Sequence, residues 1–331
     1  MHLHHTIDAF LFAYTVFSVT TQVYTFFVVI FKSPAFMKEY RYFLCTFIFW
    51  DIIFNVSVGF FILPTPLFPS YGVIVSGFIE NLEPYFGSNV TRAFICIAFW
   101  SGADLIQLQD FCLIYRFTAL HPNRNVRKWF MSWPSMIAFH IVGYGICFAA
   151  CVPIWFIVVD ESEKLSYMAM FDSSIFLDIE PGNVFTFLNE NSSIVPYYCS
   201  CLFVGFGFHL IVSVTLSTNI IRYLSHNADK FSTKVYRMHR QLTIILIVQI
   251  FTPLMFMIIP ICILVMTTYL EIPLSNTLGH IGILLITIYP STNTIITIVC
   301  VTPYRKFTTN WMKALFSLAT IRNHVAPSTN S

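Results

Sequence analysis

The sequence predicts an all-α membrane protein. The fold is a seven-transmembrane helix bundle, amino terminus outside, with a short amphipathic inner-leaflet helix after the last span. Three observations predict it. Of 331 residues, 56% are hydrophobic and only 10% are charged, where a soluble domain carries about 25% charged residues. A folded core cannot absorb that much apolar surface without a solvated exterior. The apolar residues gather into seven runs, each of roughly the 20 residues that a helix needs to cross a bilayer. The basic residues, finally, cluster in alternate connections between those runs.

The runs are about 9–31, 42–63, 91–115, 130–159, 195–221, 241–267 and 277–301. The first is too long for a cleaved signal peptide and has no basic segment before it. The fourth is long enough to tilt or to extend past the hydrocarbon. Connections 32–41, 116–129 and 222–240, with the tail 302–331, hold 16 of the 18 Lys and Arg, leaving Arg92 and Lys164 on the other side. The acids do the reverse, with 11 of 16 on the Lys-poor side. Positive connections stay cytoplasmic, so the amino terminus is outside and the carboxyl terminus inside.

No linker or low-complexity tract interrupts the chain, so residues 1–321 are expected to form one membrane domain. Residues 322–331 are expected to be a disordered cytoplasmic tail. The loop 160–194 reads as an outer cap over the bundle, and Asn191-Ser-Ser193 within it is a glycosylation sequon on the outer face. Asn89-Val-Thr91 lies against the membrane, and Asn55-Val-Ser57 falls inside a span. All nine cysteines sit in or beside the spans. Unpaired buried thiols are the usual reading, and Cys96 with Cys199 or Cys201 is the bridge the order of spans permits. No zinc-ligand spacing emerges. His2, His4 and His5 form an exposed HxHH cluster whose metal binding would be incidental, so no metal and no cofactor are expected. After the last span, Phe307, Trp311, Leu315 and Leu318 share one helical face, as in a helix lying on the inner leaflet.

Polar groups inside spans are costly and mark positions of interest. Asp51 lies in the second span, Asp104 and Asp110 in the third. Asp110 follows Asp104 by about 240° around the helix at roughly 100° per residue, so the two face different neighbours. Asp51 can hydrogen-bond between packed helices, or hold a cation or proton together with Asn293 of the seventh span. His140, His209 and His280 sit in the fourth, fifth and seventh spans. Pro253 and Pro260 in the sixth span and Pro290 in the seventh each remove a backbone hydrogen bond and bend the helix. They are candidate hinges or static kinks.

At the inner end of the third span stands FCLIYRFTALHPN, Phe111 to Asn123. An arginine there can snorkel to the headgroups without further role. In a seven-helix chain of this orientation, however, Arg116 followed by Phe-Thr-Ala-Leu-His-Pro resembles the G-protein-coupled receptors. Their motif carries an acid before the arginine, and here Tyr115 replaces it. QLTIILIVQIFTPLMFMIIP, with Gln249 four residues before Pro253, and the terminal Pro303-Tyr304-Arg305 resemble the large nematode chemoreceptor superfamily. It includes the Str, Srd, Srh and Sri families, and Srd is the one preferred in this reading.

The resemblance implies a sensory receptor in chemosensory neurons that binds a small odorant or soluble cue and activates a heterotrimeric G protein. It implies a plasma-membrane, multi-pass protein with lipid around it and no nucleic acid. Tyr115, Arg116, Arg222, Arg237 and Arg240 would form the coupling surface. Phe99, Trp100, Asp104, His209, Met257 and His280 lie at the depth of a ligand site, where aromatic core packing explains most of them equally well. The rival reading is a seven-helix small-solute transporter, although no phrase repeats between spans one to three and five to seven. A retinal pump fails for lack of a lysine within a span. No phosphate loop, metal-hydrolase motif or serine elbow is present, and no enzyme is expected.

Overall fold

The computed structural model describes residues 2–34, 38–67, 72–120, 123–130, 132–159, 162–164, 166, 184–189, 192, 194–230, 232–270 and 275–325. Seven long helical segments dominate it. The first is α1 (His2–Lys32). The second, α2 (Lys38–Val56), runs on into a π-helical turn, Ser57–Ile62. A short outer helix, α3 (Ile79–Phe86), precedes the third segment, α4 (Asn89–Leu120), and α5 (Arg124–Phe130) leads to the fourth, α6 (Trp133–Ile157). The fifth is α7 (Ile194–His226). The sixth is α8 (Thr233–Pro253), a π-helical stretch Leu254–Ile258, then α9 (Ile259–Tyr269). The seventh is α10 (Ser275–Cys300), followed by α11 (Thr302–Val325).

Six of these segments are long and apolar enough to cross a bilayer among the described residues. The segment that misses that mark is α4, and its position explains why. It packs against α2, α6, α7 and α8, so it faces protein on most sides and carries the polar residues that lipid would reject. Asp104, Gln109, Ser101 and Arg116 are all buried along it. By contrast α7 has only 11% of its most apolar window buried; its Val204, Phe208 and Ile211 are exposed, as lipid-facing side chains are.

Of the two prolines in the sixth segment, Pro253 stands at an interruption of the regular helix. Pro253 closes α8, and the backbone then widens into π register before regular helix resumes at Ile259. A proline interrupts the ladder and a bulge of this kind absorbs the mismatch. Pro260 and Pro290 sit within regular helix.

The outer end holds a feature that no apolar run announces. Strands β1 (Pro64–Leu67), β2 (Gly72–Val75) and β3 (Val184–Phe187) form an antiparallel sheet in the order β1-β2-β3. Its register sets Pro64 opposite Val75 and Gly72 opposite Phe187. Two prolines confine β1 to an edge. The sheet ties the loop after α2 to the loop after α6, and β1 rests on α10. The expected outer cap is therefore a sheet where it is described, and Asn191 lies outside the described residues. Lys164, 5% exposed, is held there by Glu83 at 3.7 Å and lies over the Phe185 ring at 5.3 Å.

Leu63, in the left-handed region at φ 44°, turns the chain from the π turn into β1. The turn is closed by Gly77. A Cβ there would lie 2.2 Å from the Phe61 carbonyl oxygen and 2.8 Å from that of Phe60. Backbone cannot give way as a side chain can, so Gly77→Ala should lower stability by about 1–3 kcal/mol, read as a drop in melting temperature of the purified protein.

At the inner end, α11 folds back along α1. Tyr24 donates to Thr308 at 3.0 Å and its ring meets Trp311 at 5.5 Å. The Lys32 ammonium lies 4.7 Å from the Phe307 centroid. The helix extends to Val325, past the boundary at 322 that the sequence led us to expect; residues 326–331, and the side chains of Leu315 and Leu318, lie outside the description. In Pro303-Tyr304-Arg305, Tyr304 is fully buried, with its hydroxyl 2.6 Å from Ser33 Oγ. Tyr304→Ala should cost about 3–5 kcal/mol and release α11 from α1, measurable as faster proteolysis after residue 301.

Candidate functional site

The central helix α4 presents three polar stations, each to a different neighbour. At mid-depth is Asp104, completely buried, with neither carboxylate oxygen hydrogen-bonded. It looks toward α6, where Tyr144, Cys147 and Cys151 lie within electrostatic reach. The Cys147 thiol is the group near enough to hydrogen-bond with Asp104, and in this structure it donates to Gln107 Oε1 at 2.7 Å. Trp100, one turn outward, meets Trp50 edge to face at 5.1 Å and Phe148 at 5.3 Å.

Further inward Asp110 faces α7. Its Oδ2 accepts from His209 Nδ1 at 2.9 Å and its Oδ1 from Ser213 Oγ at 2.8 Å. This is the face the helical period assigns it, away from Asp104. His209 and Ser213 are both buried. The carboxylate thus has partners for both oxygens, which removes the desolvation cost that an isolated charge would incur at this depth.

At the inner end, Arg116 is only 5% exposed. Its guanidinium carbon lies 4.3 Å from the Tyr40 ring centroid and 6.0 Å from that of Tyr115, while Nε and Nη2 make no hydrogen bond. Tyr115 itself packs on Phe43 at 4.9 Å. Arg116, expected to share a coupling surface with the other arginines, is buried in this arrangement. Without an acid at position 115, the guanidinium finds compensation on the face of an aromatic ring from α2. Arg222 and Arg240 are exposed at the inner ends of α7 and within α8, and the side chain of Arg237 lies outside the described residues.

A fourth polar cluster joins the first, second and seventh segments. Asp51 is completely buried; Gln22, Thr294 and Asn293 surround it, and no atom meets hydrogen-bond geometry with either oxygen. Asn55 donates to Ser18 at 2.9 Å and to Gln22 Oε1 at 3.0 Å. Tyr14 and Ser291 hydroxyls bond α1 to α10. One carboxylate among amides and hydroxyls suits a proton, a water or a small cation.

Of the remaining sequence candidates, Met257 is buried beside Leu105 and Tyr289, with its terminal methyl 3.4 Å from where a Cβ on Gly102 would stand. His280 is half-buried in α10. Phe99 is 42% exposed and points out of the bundle, so it does not join Trp100 and Asp104. His140 is buried with Nδ1 2.8 Å from the Met136 carbonyl. All nine cysteines are free thiols, Cys96, Cys199 and Cys201 among them. Cys96 instead packs with Cys151 in the outer core. No group of metal-ligating side chains is found among the described residues.

Sequence reasoning named Gln249 only as part of a family motif and passed over Gln109 and Gln241. Gln109 Nε2 donates to the Gln249 carbonyl at 2.9 Å, and Gln249 Nε2 donates to Thr297 Oγ1 at 3.0 Å. Gln241 reaches the Cys300 carbonyl and Thr302. These bonds link α4, α8 and α10 in the inner half. The signal was present, because an amide in an apolar run is costly in the same way as an acid.

Seven long helical segments about a polar central helix, closed outside by a sheet and holding a buried arginine inside, are the architecture of a serpentine membrane protein. The chain belongs to the Srh family of serpentine type 7TM GPCR chemoreceptors, whose profile matches residues 3–314. That is one of the families named from the motifs, and the preference for Srd gains no support. A comparison with curated proteins finds no match.

Proposed function

We propose that this chemoreceptor binds a small odorant or soluble cue in the outer half of the bundle and activates a heterotrimeric G protein at its cytoplasmic face. The observation that carries the reading is Arg116, buried on Tyr40 at the inner end of the helix that also bears Asp104 and Trp100. A ligand contacting Trp100, Asp104, Met257 or His280 favours one arrangement of α4 against its neighbours and shifts the population toward it. The Gln109–Gln249–Thr297 chain and the π stretch after Pro253 couple that shift to the inner ends of α8 and α10. Release of Arg116 from Tyr40 then adds a cation to the basic face formed by Arg222, Arg237 and Arg240. Residues 1–321 act as the receptor domain, delivered to the plasma membrane of sensory cilia and glycosylated at Asn191.

The test is a panel of volatile and water-soluble compounds applied to cells expressing the chain with a G-protein reporter, alongside solute uptake into vesicles. The account expects at least one compound to evoke a response without uptake. Saturable uptake with no G-protein response would establish the transporter instead.

A further inference from the structure

The most exposed large apolar side chain among the described residues is on α3. Tyr85 is 84% exposed, and Phe86 beside it 70%. Exposed aromatics within the spans face lipid, but α3 belongs to none of the spans. At roughly 100° per residue this helix sorts into three faces. Phe78, Leu82, Tyr85 and Phe86 fall within about 100° of one another, the width of an apolar stripe. Ile79 and Glu83 turn inward. Ile79 is fully buried in the outer core, and Glu83 meets Lys164 at 3.7 Å and accepts from Thr91 Oγ1. Glu80, Asn81 and Pro84 make the third face, which is open to water at Asn81 and Pro84.

The aromatic face continues beyond the helix. Phe78 stacks on Phe60 at 5.9 Å, and Phe60 meets Phe12 of α1 at 5.6 Å. Phe12 lies within the first span and is exposed there, as a lipid-facing residue is. One aromatic surface therefore runs from the lipid side of α1, past the outer end of the second segment, onto α3. Aromatic rings with this setting gather at the level of the headgroups. Charge selects the lipid. The helix carries Glu80 and Glu83 and no Lys or Arg, the reverse of the basic helices that anionic lipid attracts.

We propose that α3 lies in the interface of the outer leaflet, with Phe78, Leu82, Tyr85 and Phe86 seated among zwitterionic phospholipids, and so anchors the outer cap to the bilayer. Glu83 carries the anchor to Lys164, which lies over Phe185 of β3. Ile79 carries it to Val75 of β2 and Val184 of β3. Seating of the aromatic face thereby sets the depth at which the sheet closes the bundle. The inference needs only the membrane fold and holds whether or not the chain signals.

Tyr85→Trp, Phe86→Trp and Asn81→Trp are introduced singly into the full chain, which is reconstituted in phosphatidylcholine bilayers. The added emission is read as the difference from the wild type. Its quenchers are phospholipids brominated at shallow or deep acyl positions, and aqueous iodide. Positions 85 and 86 should lose emission to the shallow bromines, lose less to the deep ones, and resist iodide. Position 81 should lose emission to iodide. Replacing part of the phosphatidylcholine by phosphatidylserine should leave the pattern unchanged. The double variant Tyr85→Ser/Phe86→Ser should exchange its β2 and β3 amides about tenfold faster in bilayers. Iodide quenching at 85 and 86 equal to that at 81 overturns the proposal, as does stronger quenching by the deep bromines. Bromolipid quenching that grows with phosphatidylserine overturns the choice of lipid. Unchanged amide exchange overturns the anchoring of the cap.

Discussion

Arg116→Ala is expected to lower ligand-evoked G-protein activation by about tenfold or more, the scale of a typical coupling free energy, while surface delivery stays as in the wild type. The reason is positional. Arg116 is buried on Tyr40, so its removal takes away a cation–π contact and a future cytoplasmic charge without opening the core clusters of the outer half. Tyr40→Ala should act in the opposite direction. It removes the ring that holds the guanidinium inside, so basal signalling rises before any ligand is added. The same G-protein reporter, normalised to surface protein, reads both variants. Equal signalling in Arg116→Ala and the wild type would refute the switch role. A fall in basal signalling in Tyr40→Ala would show that the ring supports the active arrangement and does not restrain it.

Asp110→Ala should produce the largest loss of stability of any single change in the α4–α7 interface. It leaves the His209 ring and the Ser213 hydroxyl buried without their acceptor. Each orphaned group costs about 1–3 kcal/mol, so a total near 3 kcal/mol is expected from thermal unfolding in detergent. The double variant Asp110→Ala/His209→Ala should lose less than the sum of the two single changes, because the second removal relieves the group that the first orphans. Strict additivity would mean that the 2.9 Å contact carries no coupling energy.

These two predictions differ in how readily their bases could be read from the sequence. The opposed faces of Asp104 and Asp110 follow from helical rotation alone, and the structure turns them toward α6 and α7 respectively. The membrane class was likewise legible, since an apolar run of about 20 residues has few other stable solutions. The pairing of Arg116 with Tyr40 was not. The two residues lie on different helices, and sequence carries no record of how helices rotate against each other. The outer sheet was equally hidden. PTPL and GVIV are four residues each, too short for a period-2 pattern to stand out, and β3 joins them from a distant loop. Phe99 misled for a related reason: it neighbours Trp100 in sequence, yet adjacent helical positions point about 100° apart.

The most direct test of the receptor account is where the protein goes and which way it faces. A tag at the carboxyl terminus, expressed in the source animal, is imaged with and without permeabilisation of the membrane. The account predicts signal at sensory cilia, with the tag reachable only after permeabilisation. A tag reachable from outside intact cells would contradict the orientation, and with it the cytoplasmic role of Arg116.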